Sequence, residues 1–390
     1  MARAPGTPRL LRAINDRSAL ELLLAEGPLT RARLGELTGL SKVTASALVS
    51  RLRERGLVEV IGTQSAGRGP SADVYAVRAG CAHGVGIDMG PQEVVAAVAD
   101  VTGSVRGRVS LPVSEVDDPV RLVGGAVRAV TDLAEIDVSD VADVVIGTPG
   151  VVDPVTGDVG YVFDLPRWHR GLRDSLREDL GCGVTIENDV NLAAIAERTV
   201  GAAQDVDDLA LFWVGRGVGL AVVLGSRLHR GAAGAAGEIG YLPAPGVPLP
   251  AAGSEPDKRA FQRLVGAEAV SALAAAHGIV AEDAAGAVRA ALAAGSPAQA
   301  FLAELADRLA IGVAAVCAVV DPALVVLAGE VGAAGGGPLC DLVTRSMGRI
   351  VQFKPVLVPT SVPDAPVLRG ALLTAVDQAR EAMLASTAHD

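Results

Sequence analysis

Hydrophobic and polar positions follow two different periods along this chain, and the change falls near residue 80. In RSALELLLAEG, Leu20, Leu23 and Leu24 share one helical face, and Gly27-Pro28 stops the helix. Thr30 then caps a short helix, RARLGELTG. Gly39 turns the chain, and Ser41 caps a third helix, KVTASALVSRLRERG, that ends at Gly56. In that third helix Ala45, Leu48, Val49 and Leu52 recur at i, i+3, i+4 and i+7, which predicts a core-facing stripe. LVEVIGT and ADVYAV follow as two strands joined by the turn-rich QSAGRGPS.

Beyond a short join, RAGCAH at 78–83, apolar strands punctuated by Gly take over. HGVGIDMGPQEVVAAVADVTGSV predicts three strands around two turns, and LALFWVGRGVGLAVVLGSRL at 209–228 repeats two strands around a Gly-rich turn. Between them the pattern predicts a helix at 119–135, strands at 144–147 and 184–186, and a helix at 190–199. After them come helices, a strand at 323–329 and a terminal helix from about 369. Two similar hairpins, each opening a half of similar size, predict an internal duplication. The expected division is 1–80, 81–200 and 201–390.

Composition narrows the class. The 390 residues are half hydrophobic but only 3% aromatic, so Ala, Gly and Val fill the core, as in an α/β protein with a sheet buried on both faces. No apolar run is long enough to span a membrane, and no charged leader with a short apolar stretch and cleavage site is recognisable. Cys81, Cys182, Cys317 and Cys340 are far apart and read as small buried hydrophobes in a reducing compartment. The expectation is a cytoplasmic protein. Its net charge of −11 is uneven: residues 1–80 carry twelve Lys and Arg against seven Asp and Glu. A basic module on an acidic body suits a head that binds a polyanion.

The third helix gives that head a specific reading. Lys42, Val43, Ser46, Ala47 and Ser50 lie opposite the apolar stripe, Ser41 and Thr44 stand at the helix start, and Arg51 and Arg53 lie toward its end. Small side chains permit close approach to a DNA major groove, and Ser and Thr hydroxyls reach base edges or phosphates. Arg68, between Gly67 and Gly69 at the hairpin tip, is placed to probe the neighbouring minor groove. The pattern predicts a winged helix-turn-helix that contacts double-stranded DNA through Ser41, Lys42, Val43, Thr44, Ser46, Ala47, Ser50, Arg51 and Arg68. As a dimer it would read an inverted repeat. The alternative is a helical protein-interaction module.

In the body, duplicated halves with Gly hairpins follow the plan of the sugar kinase, Hsp70 and actin superfamily. IGTPGVVDPVTGDV, IENDVNLAAIAE, LHRGAAGAAGEIG and LVVLAGEVG resemble the ROK family (repressors, open reading frames and sugar kinases). LTGLSKVTASALVSRLRERGLVE and GRGPSADVYAV likewise resemble the winged head of that family's repressors, so the resemblance covers essentially the whole chain. It implies a two-lobed kinase-like body whose sugar site includes Gly150, Asn188, Asp189 and Glu238. Asp189 corresponds to the family's general base and Asn188 to a hydroxyl ligand. A helix-capping role for Asn188 and Asp189 is the alternative, and the two are compatible.

Several departures bear on activity. Tyr241 stands where the family has a His that touches sugar and ligates zinc, and PAPGVPLPAAGSEPDKRAFQRL replaces the cysteine-bearing zinc loop, so no metal is expected. Glu255 or Glu268 stands near the place of a second sugar-binding Glu. Pro91 removes an N–H from the first hairpin, Arg216 replaces a Thr in the second, and Glu330 replaces a small residue near the adenosine site. Together these predict a non-enzymatic DNA-binding transcriptional regulator, a repressor that needs no cofactor. Its body would sense a sugar or sugar phosphate through Gly150, Asn188, Asp189, Glu238 and Tyr241, with Asp189 a vestigial base, and would associate as a homodimer or homotetramer. An active ATP-dependent sugar kinase with a DNA head, or a body that serves only as an oligomerisation scaffold, are the competing readings.

Overall fold

A computed structural model describes residues 8–65, 71–113, 118–160, 170–248, 260–353 and 355–388. The head comprises α1 (Pro8–Ala25), β1 (Leu29–Thr30), α2 (Arg31–Thr38), α3 (Lys42–Glu54), β2 (Val58–Gln64) and β3 (Ala72–Val77). Its local signals act as the sequence predicts. The Thr30 hydroxyl accepts from the Arg33 N–H and the Ser41 hydroxyl from the Thr44 N–H, while Gly39 ends α2 with φ of +69°. Ala45, Leu48, Val49 and Leu52 are buried. Strand β1, only two residues long, pairs antiparallel with β3 and makes a sheet of order β1-β3-β2. A segment so short has no periodicity to read.

The first lobe contains β4 (His83–Met89), β5 (Glu93–Asp100), β6 (Val105–Pro112), α4 (Pro119–Leu133), β7 (Val141–Thr148), the small pair β8 (Val151–Val152) and β9 (Val159–Gly160), α5 (Leu172–Leu180), β10 (Gly183–Asn188) and α6 (Asp189–Val200). The second contains β11 (Leu209–Val214), β12 (Val218–Leu224), β13 (Arg227–Leu228), α7 (Gln262–Val265), α8 (Ala267–Ala276), α9 (Ala284–Ala294), α10 (Gln299–Val320), β14 (Leu324–Ala328), α11 (Gly329–Met347) and β15 (Val356–Pro359). The sheets are ordered β10-β7-β4-β5-β6 and β13-β12-β11-β14-β15. In each, a three-stranded antiparallel meander is extended by two parallel strands beside its first member. The two lobes thus share one topology, as the repeated hairpins predict.

The last helix, α12 (Pro366–Ser386), departs from the expected division at 201–390. It returns to the first lobe and lies on β4. A Cβ at Gly84 would stand 2.5 Å from the Ala375 carbonyl carbon, and one at Gly86 2.5 Å from the Leu372 nitrogen. Only glycine admits a helix backbone this close to a strand. Val367, Ala371 and Ala375 pack with Val145 and Leu192, while Leu368, Leu372 and Val376 pack with Ala97 and Ala99. The far end of α12 enters the head: Ala379, Met383 and Leu384 share one apolar cluster with Leu20, Leu48, Leu52 and Tyr75. The Arg17 guanidinium donates to Glu381 at 2.9 Å, and Arg55 donates to the Ser386 hydroxyl at 3.2 Å. Among the described residues, no helix is long and apolar enough to cross a membrane.

Candidate functional site

The carboxyl ends of the parallel strands from both sheets converge on one cleft of about 440 Å³. Asp88 comes from β4, Pro149 and Gly150 follow β7, and Asn188 and Asp189 join β10 to α6. From the other lobe come Trp213 at the end of β11, Arg216 in the hairpin, Glu238, Glu330 at the start of α11, and Thr360 after β15. Ligands of open α/β sheets bind at this edge, because the loops there are free to vary while the strands hold them.

Gly150, Asn188, Asp189 and Glu238, four of the five expected sugar contacts, line this cleft. Asn188 also caps α6: its carbonyl oxygen accepts from the Asn191 N–H at 3.1 Å, and its amide donates to the Gly150 carbonyl at 3.0 Å. Capping and cleft lining therefore coincide in one side chain. Asp189 accepts from the Val190 N–H at 2.8 Å. Tyr241 is the exception. It ends a short 3-10 turn, Ile239–Tyr241, is 39% exposed, and does not line the cleft. Ile239, buried in the second-lobe core, fixes that turn and leaves the Tyr241 ring outside. Of the two Glu residues considered beside it, Glu255 lies outside the described residues, and Glu268 sits in the first turn of α8, away from the cleft lining.

The cleft is strongly acidic. Burial raises Asp88 to about 7, with further upward pressure from Asp189, Glu93 and Glu330. Asp189 rises to about 6, chiefly through burial and then through Glu238, against the lowering effects of the Val190 N–H and Arg216. Near neutrality Asp88 is thus only partly ionised, which makes it a donor as well as an acceptor. Much of the replaced zinc segment, 249–259, lies outside the described residues. Among the residues that are described, no three His, Cys, Asp or Glu side chains form a metal-binding group.

Two buried carboxylates behind the cleft escaped the sequence reading. Glu187 accepts from Asn191 Nδ2 at 2.9 Å and from Arg230 Nε at 2.7 Å. The Arg230 contact joins the first lobe to the loop that carries Glu238. Glu197, completely buried, accepts from the backbone N–H groups of Ala202, Ser361 and Val362 and from the Thr360 hydroxyl, holding the 360–362 segment at the cleft. Trp213 was also missed. A strand-end Trp on the sequence gives no sign that it edges a cavity.

On the head, Ser41, Lys42, Val43, Thr44, Ala47 and Ser50 form an exposed face on α3, with Val43 81% exposed. Ser46, half-buried, accepts from Arg31 Nη1 at 3.0 Å. Ser41 and Thr44 hydroxyls lie 2.9 Å apart. Arg51 differs from the expected set. Its guanidinium holds Asp16 of α1 through two contacts, 2.5 and 3.1 Å, and Asp16 is nearly inaccessible. Arg51 braces the recognition helix against α1 rather than standing with the exposed face. Arg68 lies outside the described residues.

A winged helix-turn-helix joined to a duplicated, kinase-like α/β body defines the class. Residues 84–377 match the ROK family, and residues 14–69 match the MarR family. The chain belongs to the ROK family. It is 28% identical over 240 residues to the xylose repressor of Bacillus subtilis (strain 168), covering 60% of this chain and 61% of that one. The chain thus spans about three fifths of the length of the curated relatives it matches. Among solved structures it resembles a ROK family transcriptional regulator described as a homolog of the E. coli MLC protein, with a TM-score of 0.75 at 19% identity, covering 97% of this chain and 99% of that one. The ROK hexokinase of Thermus thermophilus follows at a TM-score of 0.61 and 28% identity, covering 77% and 99%.

Proposed function

We propose that this protein is a DNA-binding transcriptional regulator, a repressor, whose kinase-like body binds a sugar or sugar phosphate and alters the grip of its winged head. One observation carries the reading: α12 lines the cleft with Pro366 and Val367 and supplies Ala379, Met383 and Leu384 to the core of the head. A ligand that prefers one arrangement of the cleft therefore acts on the element that supports α1 and α3. Likeness to a repressor that the chain matches in sequence supports the same direction. Double-stranded DNA is the partner of the exposed α3 face, through Ser41, Lys42, Val43, Thr44, Ala47 and Ser50. Two copies of the chain would read an inverted repeat with half-sites about one or two helical turns apart.

The cleft works as a sensor rather than as a catalyst in this reading. Pro91 and Glu330 both line it on the side of the two Gly hairpins, where an anionic phosphate would need N–H donors. The decisive experiment measures operator binding and ATP turnover together across a panel of sugars. Release of operator by a sugar, with no ATP consumed and with the response lost in Asp189→Asn, is the expected result. Sugar-dependent ATP turnover abolished by Asp189→Asn would replace this reading with an active kinase.

A further inference from the structure

Glu330 and Gly215 meet on the second-lobe wall of the cleft, where β11 and β14 lie side by side, and their contact narrows the class of ligand. A Cβ at Gly215 would stand 1.7 Å from Glu330 Oε2, so the carboxylate is laid directly against the hairpin that joins β11 to β12. Gly215 closes that hairpin by donating its N–H to the Gly217 carbonyl at 3.0 Å, and that N–H is therefore not offered to a ligand. On the opposite hairpin Pro91 has no N–H, and the Gly90 N–H donates to the Glu93 carbonyl at 2.9 Å. A phosphate entering here would find the Gly90 and Gly215 N–H groups already engaged, no N–H at Pro91, and a resident carboxylate beside the second hairpin.

The remaining walls agree. Asp88, Asp189 and Glu238 line the same cavity, and Arg216 is the only Lys or Arg in the lining among the described residues. Arg216 favours the ionised form of Asp189, but burial outweighs it and the site stays acidic. A phosphoryl group carries about −1.5 to −2 at neutral pH and would be repelled by the ionised acids among the four. Sugar hydroxyls have the opposite preference: they donate to carboxylates, and Trp213 adds an aromatic wall on which an apolar sugar face can rest.

We infer that the effector is an uncharged sugar, and that Glu330, seated on the Gly215 hairpin, excludes its phosphate esters. This inference rests on the sensor reading proposed above and selects between the two ligand classes it allows.

The test uses the full chain carrying Trp168→Phe, so that Trp213 alone reports on the cleft, with an operator fragment as the second readout. Glucose, N-acetylglucosamine and mannose are titrated beside their 6-phosphates, with xylose and inorganic phosphate as further probes. At least one free sugar should change both signals, and its ester should bind about tenfold or more weakly. Glu330→Gln, and separately Glu330→Ala, should bring ester and parent sugar within about threefold of each other, read as the ratio of their affinities. If Gln lowers stability, Ala provides the same comparison without an amide on the hairpin. An ester that binds as tightly as its sugar to the unaltered chain, or discrimination unmoved in both Glu330 variants, overturns this inference alone. Silence from every free sugar and every ester, with operator binding intact, overturns both it and the sensor reading.

Discussion

Arg230 Nε donates to Glu187 Oε2 at 2.7 Å, across a gap of 43 positions, from the loop that ends in Glu238 to the strand that ends in Asn188. Glu187 is 7% exposed at its side chain and Arg230 44%. The pair thus has a desolvated acid and a wet base, and its purpose is positional. It ties together the two strips of backbone that carry Asn188, Asp189 and Glu238.

Arg230→Ala should therefore damage ligand response more than operator binding. The stranded Glu187 keeps the Asn191 amide, so the stability loss should be about 2 kcal/mol, below the range for removing one partner of a fully buried pair. Urea unfolding gives the stability, and operator titrations with and without sugar give the response. A variant whose sugar response matches that of the unaltered chain would show that the contact does not position the cleft.

Asp88 makes the stability of the chain sensitive to pH. Its folded value, about 7, lies above the ordinary 3.8, so between these values the folded chain holds a proton that the unfolded chain has released. Stability from this group is therefore highest below pH 4 and declines as pH rises through 7. Asp88→Asn removes the decline. It should be nearly neutral at pH 4 and stabilising by roughly 1–2 kcal/mol at pH 8, the full shift being shared with Asp189. Melting curves of the two proteins from pH 4 to 8 should diverge upward; parallel curves would contradict the assignment.

On the head, Lys42 and Arg51 should behave differently although both are cations on α3. Lys42→Ala should reduce the slope of log affinity against log salt by about one and leave stability unchanged. Arg51→Ala strands Asp16, which is 5% exposed at its side chain, and should cost about 2 kcal/mol in folding. Equal salt slopes for Lys42→Ala and the parent would remove Lys42 from the DNA-facing set.

Glu197 holds the 360–362 segment with both oxygens. Glu197→Gln leaves backbone donors facing an amide –NH₂ and should cost about 3 kcal/mol. Thr360 and Val362 line the cleft, so sugar affinity should fall as well. Loss of stability without loss of affinity would confine Glu197 to a structural role.

Local features of the fold were legible in the sequence, and distant pairings were not. The stripe Ala45, Leu48, Val49, Leu52 and the caps Thr30 and Ser41 depend on neighbours within one or two turns, so periodicity and capping chemistry reveal them. Asn188, Asp189 and Glu238 came from the resemblance of short motifs, and the structure does bring them to one cleft. The Arg51–Asp16 pair was not legible because Asp16 lies 35 positions earlier on another helix. The position of Tyr241 outside the cleft lining was not legible, because matching it to a family His says nothing about the turn it ends. Glu197 reads as an ordinary helical Glu until the 360–362 segment, more than 160 positions later, closes over it. No pattern in 201–390 announces that α12 crosses back to lie on Gly84 and Gly86.

That crossing sets an order of events during synthesis. The head is made before the body, yet its apolar cluster includes Ala379, Met383 and Leu384. A nascent chain can form α1, α2 and α3 early, but the surface that meets α12 stays uncovered until some three hundred further residues have been made. A chain built this way completes the core of its head only with a completed body, so an abortive chain would carry an unfinished head.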